Sequence, residues 1–134
     1  MSDGFAEWIR GCIRTRRALA RHLVESEAAR PEWHESSSGV LVTGAPQHDD
    51  AWAGMFAIGD SRLSRFMACH DPRDTIARCD AELAILADHA SNDHETYPEC
   101  VHCAVQCFPC RTVRLVGEGY RHWDGYREEW GAVW

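Results

Sequence analysis

Cys100, Cys103, Cys107 and Cys110 crowd into one short window, Glu99-Cys100-Val101-His102-Cys103-Ala104-Val105-Gln106-Cys107-Phe108-Pro109-Cys110, with the spacing C-x2-C-x3-C-x2-C. A C-x2-C pair wraps two thiolates onto one ion through a tight backbone turn. Zinc takes four sulfur or nitrogen ligands in a tetrahedron, and a closed set is structural rather than catalytic. The window therefore points to one structural zinc ion held by Cys100, Cys103, Cys107 and Cys110. Zinc ribbons and fingers separate their two pairs by about a dozen residues or more, whereas only three stand between the pairs here. So tight a reversal makes a histidine at the end of the preceding helix a substitute ligand. His89 is the best placed, with His94, His102 and His70 behind it.

Three other readings of the window compete. On a helix the four cysteines line one face and serve as small core residues, but Pro98 and Pro109 flank and interrupt such a helix. Paired disulfides require an oxidising compartment. An iron–sulfur cluster would depart from ferredoxin spacing.

The frame that must position these residues is the length of one domain, 134 residues. Its 45% hydrophobic and 26% charged residues are ordinary for a globular chain. Every one of the 14 basic residues is arginine, the mark of a high-GC coding bias, so an arginine carries less functional weight than usual. The first 30 residues hold six arginines against Asp3, Glu7, Glu25 and Glu27, so the remainder carries more than the whole formal charge of −7. An acidic body does not suit broad nucleic-acid binding, which needs cations to displace counterions from phosphates. The N-terminus lacks the apolar stretch of a signal peptide, and no run approaches the about 18 apolar residues of a membrane span. The expectation is a cytoplasmic protein with reduced thiols.

Along the chain, Phe5, Trp8, Ile9, Cys12, Ile13, Leu19, Ala20, Leu23 and Val24 recur at helical steps, predicting a helix from Asp3 to about Ala29. Arg10, Arg14, Arg17 and Arg21 share a different face, read either as a solvated surface or as a docking strip. Arg16 falls inside the apolar stripe and must snorkel or pair. Trp33–Glu35, Val40–Val42 and Met55–Ile58 predict short strands, and Asp60 a cap for a short helix carrying Leu63, Phe66 and Met67. Asp71-Pro72-Arg73-Asp74 supplies an N-cap, a proline at the first helical position and an acid in the first turn, opening a helix from Pro72 to about His89. A further short helix is expected around Thr112–Val116. Tyr120, Trp123, Tyr126 and Trp130 then form an aromatic tail that packs on the body, and Trp134 is a candidate exposed contact. The expected fold is α+β: two long antiparallel helices, a small antiparallel sheet and a C-terminal Cys-rich metal knuckle. It forms a single domain, 1–134, divided into a helix–sheet–helix body (1–97) and a knuckle with its tail (98–134).

Four features together resemble a family of short uncharacterised proteins of actinobacteria and their phages. They are the first helix followed by Pro31-Glu32-Trp33, the segment Cys69-His70-Asp71-Pro72 opening a long helix, the run Pro109-Cys110-Arg111-Thr112-Val113-Arg114-Leu115, and the ending Tyr126-Arg127-Glu128-Glu129-Trp130. The family pattern has Pro where this chain has Arg111, and no counterpart for Cys107. The resemblance implies an actinobacterial or phage origin and no assigned activity.

The chain lacks G-x-S-x-G, H-E-x-x-H, a phosphate-cradling glycine loop and the His-x-Glu element of zinc deaminases. Cys69-His70-Asp71 could do thiol or acid–base chemistry, but Asp71 is better used as a helix cap. The reading is therefore not an enzyme. It is a zinc-stapled protein-interaction module, with the phage origin that the resemblance implies as one source, that docks on a protein partner through Arg10, Arg14, Arg17, Arg21 and Trp134. A nucleic-acid-binding zinc knuckle using the same arginines is the alternative.

Overall fold

A computed structural model describes residues 3–25, 33–35, 40–43, 55–57, 61–92, 94, 97–104 and 108–131. Four α-helices dominate it: α1 (Asp3–Glu25), α2 (Ser61–Ala68), α3 (Pro72–Asp88) and α4 (Arg111–Glu118), followed by a 3-10 turn at Glu128–Trp130. Three very short strands, β1 (Trp33–Glu35), β2 (Val40–Thr43) and β3 (Met55–Ala57), pair antiparallel with Trp33 opposite Thr43 and Val42 opposite Met55. The backbone divides into two compact units, residues 16–78 and residues 1–15 together with 79–134.

The expected α+β class is corrected by these elements. The described residues are mostly helical, and the buried cluster among them is built from helices, the cysteine loop and the tail. The short α2 packs on β1 and β2. The apolar stripe of α1 is covered by something else.

That cover is the C-terminal quarter of the chain. Phe5, Ala6, Ile9, Cys12 and Ile13 recur at three- and four-residue steps on α1 and are buried. They pack with Cys79 and Leu86 of α3, Val113 of α4 and Tyr120. The rings of the tail close over this group. Trp130 lies 5.1 Å from Phe5 and 5.3 Å from Trp8, and Tyr126 lies 5.6 Å from Trp8, in tilted arrangements that suit ring quadrupoles. Polar ends are satisfied as well. Trp8 Nε1 donates to Asp124 O at 3.1 Å, Tyr126 Oη to Glu118 Oε1 at 2.9 Å, and Tyr120 Oη to Glu82 Oε2. Burial, then the bond and the charge of Glu118, push the Tyr126 phenol up, so it stays protonated. The tail therefore packs on the body as the aromatic spacing predicts. Leu19, expected in the same stripe, is 62% exposed.

Gly117 sets how closely α4 approaches α1. A Cβ there would stand 2.4 Å from Phe5 Cζ and 3.0 Å from Ile9 Cδ1. Alanine normally favours a helix over glycine by about 1 kcal/mol, but here overpacking dominates. Gly117→Ala is expected to destabilise the protein by about 1–3 kcal/mol, read as a lower urea midpoint. An unchanged or higher midpoint would mean that α4 shifts freely.

Helix α3 begins as its residues dictate. Asp71 Oδ1 accepts the Asp74 N–H at 2.8 Å, and Pro72 occupies the first helical position, where no N–H is needed. The helix ends at Asp88, and the next residue is His89.

Candidate metal centre

From the end of α3 the chain makes a pinned loop. Asn92 N donates to Glu99 O at 3.0 Å and Val101 N to Ala90 O at 2.9 Å, while Ser91 and Cys100 form an isolated antiparallel bridge. Asn92 Oδ1 accepts from the N–H groups of both His94 and Glu99, at 3.1 and 3.0 Å. These bonds return the chain to the helix terminus and set Cys100 beside His89. Beyond Cys100 the backbone turns tightly. Ala104 N donates to Cys100 O at 2.8 Å, and Ala104 takes φ 52°, a left-handed conformation uncommon for a residue with a Cβ. That turn brings Cys103 back, with its N–H 3.5 Å from Cys100 Sγ. Phe108 N then donates to Pro98 O at 3.1 Å, delivering Cys110 at the entrance of α4. Cys110 occupies the N-cap position of α4 without a side-chain capping bond, and its sulfur turns to the cluster instead.

The outcome is four ligand atoms around one point. His89 Nδ1 lies 3.4 Å from Cys100 Sγ, 3.3 Å from Cys103 Sγ and 3.5 Å from Cys110 Sγ, and all four atoms fall within 4.8 Å of one another. With bonds of about 2.3 Å to sulfur and 2.0–2.1 Å to nitrogen, a tetrahedral ion would separate N from S by about 3.6 Å and S from S by about 3.8 Å. The three nitrogen–sulfur distances are within a few tenths of an ångström of that geometry, and no two of the four atoms are more than 4.8 Å apart, so the residues fit a metal ion. Cys100 and Cys110 are buried, His89 is half-buried and Cys103 is exposed.

The electrostatics agree with a cation at this point. Burial raises the Cys100 thiol. The Cys103 N–H, the His89 ring, Cys110 and the His102 N–H more than offset it and hold the thiol at about 7. Cys103 moves the other way, pushed up to about 11 by desolvation and then by its bonds to, and the charges of, Cys100 and Cys110. Once one sulfur ionises, its neighbours resist unless a positive ion joins them. Cys12, buried elsewhere in the core, is raised by desolvation and stays an inert thiol.

Of the residues singled out by spacing, the structure brings together Cys100, Cys103, Cys110 and His89. Cys107 and Trp134 lie outside the described residues. His94 bonds its own loop, with Nδ1 accepting the Tyr97 N–H at 3.2 Å. His102 stands beside His89, ring centres 4.6 Å apart, and His70 contacts Phe66 O through Nδ1 at 2.8 Å. In the arginine row, Glu7 faces both Arg10 at 3.6 Å and Arg14 at 3.8 Å, Arg17 is half-buried and Arg21 is exposed. Arg16 is half-buried with a partner. Two residues that sequence spacing did not bring forward, Arg114 and Arg127, line one cleft with Phe5 and Trp130. They sit far apart in sequence, and no local pattern joins them.

A chain whose described residues are mostly helical, and whose loop and helix ends gather three cysteines and one histidine, is able to bind a metal ion. The chain belongs to the Family of unknown function (DUF6221), whose pattern matches residues 2–132. No curated protein and no solved structure matches it. Among the described residues no helix is long and apolar enough to cross a membrane.

Proposed function

We propose that the protein is a zinc-stapled interaction module that acts by docking on another protein rather than by catalysis. The observation that carries this reading is the closed set of His89, Cys100, Cys103 and Cys110. Three sulfurs and one imidazole fill a tetrahedron and leave no position for a reacting water, which is the character of a structural site. Zinc, when bound, supplies cohesion: it ties the end of α3, the knuckle and the start of α4 at one point. Two apolar side chains near the knuckle, Tyr97 at 65% and Val101 at 64% exposure, support a contact surface beside the metal. The lack of lysine supports an actinobacterial or phage-encoded protein working in a bacterial cytoplasm. The nucleic-acid alternative is weakened by Glu7, which shares Arg10 and Arg14.

Native mass spectrometry of the untagged protein tests the metal directly. One zinc per chain is expected at neutral pH. It should be lost on acidification, because protons compete for the thiolates and the imidazole. A metal-free mass at neutral pH, after refolding with zinc, would sink the reading.

A further inference from the structure

A cleft of about 580 Å³ opens beside the metal loop, within the about 300–1,000 Å³ typical of small-molecule sites. Phe5, Phe108, Pro109 and Trp130 give it apolar and aromatic walls, and Arg114, Arg127 and Glu129 supply its charged groups. Phe108 and Pro109 are buried, so that wall is built rather than incidental. Arg127 stacks over the Trp130 ring, 5.1 Å from its centre, which pre-sets a planar guanidinium against a planar surface. Glu129 reaches Arg127 at 3.7 Å, with both side chains exposed to water, a weak pair that a ligand can displace. Arg114 spends its Nε on Pro109 O at 3.1 Å. Its two terminal nitrogens meet no acceptor among the described residues. The Nε bond fixes the guanidinium plane and leaves those terminal donors available for a two-oxygen acceptor. Gly4, in the first turn of α1, also lines the cleft, and a Cβ there would meet open space. Two cations against one anion, with the start of a long helix beside them, favour negative charge.

We propose that this cleft binds a small organic anion that joins a flat apolar body to a carboxylate or phosphate group. The body lies against Trp130 and Phe5, and the acid group is held by Arg114 and Arg127. This inference does not rest on the interaction reading above, because binding is measured on the protein as isolated.

The test is an amide-resolved NMR titration with two acid probes, indole-3-acetate and phenyl phosphate, and with the neutral indole-3-acetamide. Saturable shifts at Phe5, Phe108 and Trp130 are expected with at least one acid probe, and the tighter of the two identifies the acid group. The neutral amide should bind at least about tenfold more weakly, as should Arg114→Gln and Arg127→Gln with the acid, since each removes a charge-assisted bond. Arg114→Lys should recover part of the loss. If Arg114→Gln loses the folded amide pattern, Arg127→Gln and Gly4→Phe, which fills the mouth of the cleft, carry the test. No saturation by either acid up to about 5 mM would overturn the proposal. So would equal binding of the neutral amide, or wild-type affinity in the arginine and Gly4 variants that fold.

Discussion

Cys110→Ser is expected to cost on the order of 3–5 kcal/mol, a fraction of the about 10–16 kcal/mol of apparent binding energy of structural zinc in small domains. For a chain of this length that is a drop of about 10 °C or more in Tm. The residue is both a ligand and the hinge into α4. Its sulfur stands 3.5 Å from His89 Nδ1, and its carbonyl receives the Arg114 N–H at 3.1 Å. Serine keeps the size and the backbone but is a poor ligand for zinc. The discriminating control is a strong chelator added to the wild type. It should reproduce most of the drop, and the Cys110→Ser protein should be nearly insensitive to it. If Cys110 were only a small core residue, the substitution would cost about 1 kcal/mol and the chelator would change nothing.

Phe5→Ala is expected to destabilise by about 3–5 kcal/mol, measured by urea unfolding followed through tryptophan fluorescence. Phe5 is 1% exposed and lies where three pieces of chain converge. It meets Trp130 at 5.1 Å and Trp8 at 6.3 Å between ring centres, and its ring edge fills the space that Gly117 leaves. Trp8 is tethered to Asp124 O and α4 is anchored behind its N-cap Cys110, so these neighbours do not follow a shrinking side chain. A cavity therefore remains. The loss should be of similar size with and without chelator, which separates core packing from the metal. A cost below about 1 kcal/mol would mean that the tail collapses into the gap and is not the fixed cover described above.

The helices were legible because their signals are local. The three- and four-residue recurrence of Phe5, Ile9 and Ile13, and the Asp71-Pro72-Asp74 start, depend only on neighbours a turn away. The metal ligands were legible by type. The crowding of thiols pointed to a metal held by Cys100, Cys103, Cys107 and Cys110, and the short spacer made His89 a substitute ligand. His89 ranked above His94 by its place at the end of the helix, but what sets it beside Cys100 is not local. It is the return of the loop through Asn92, which pairs residue 92 with residue 99. The α+β class failed for a related reason. Runs such as Val40-Leu41-Val42 carry a real strand preference, but they form strands of only three or four residues, while helices take up most of the described residues. The stripe of α1 declared that it needed a partner, and periodicity did not say which. The cover proved to be the aromatic tail, over a hundred residues away. Nor did periodicity separate Leu19, expected inside and exposed, from its neighbour Ala20, which is buried.

That dependence of the first helix on the last quarter of the chain has a consequence during synthesis. A nascent chain emerging from the ribosome displays Phe5, Trp8, Ile9 and Ile13 long before Tyr120, Tyr126 and Trp130 exist to cover them. The first helix must wait, sticky and unclosed, until residue 130 has been made, and such waiting surfaces are what holding chaperones recognise. Messages truncated ahead of residue 120 should therefore yield insoluble or rapidly degraded products, not a smaller working domain.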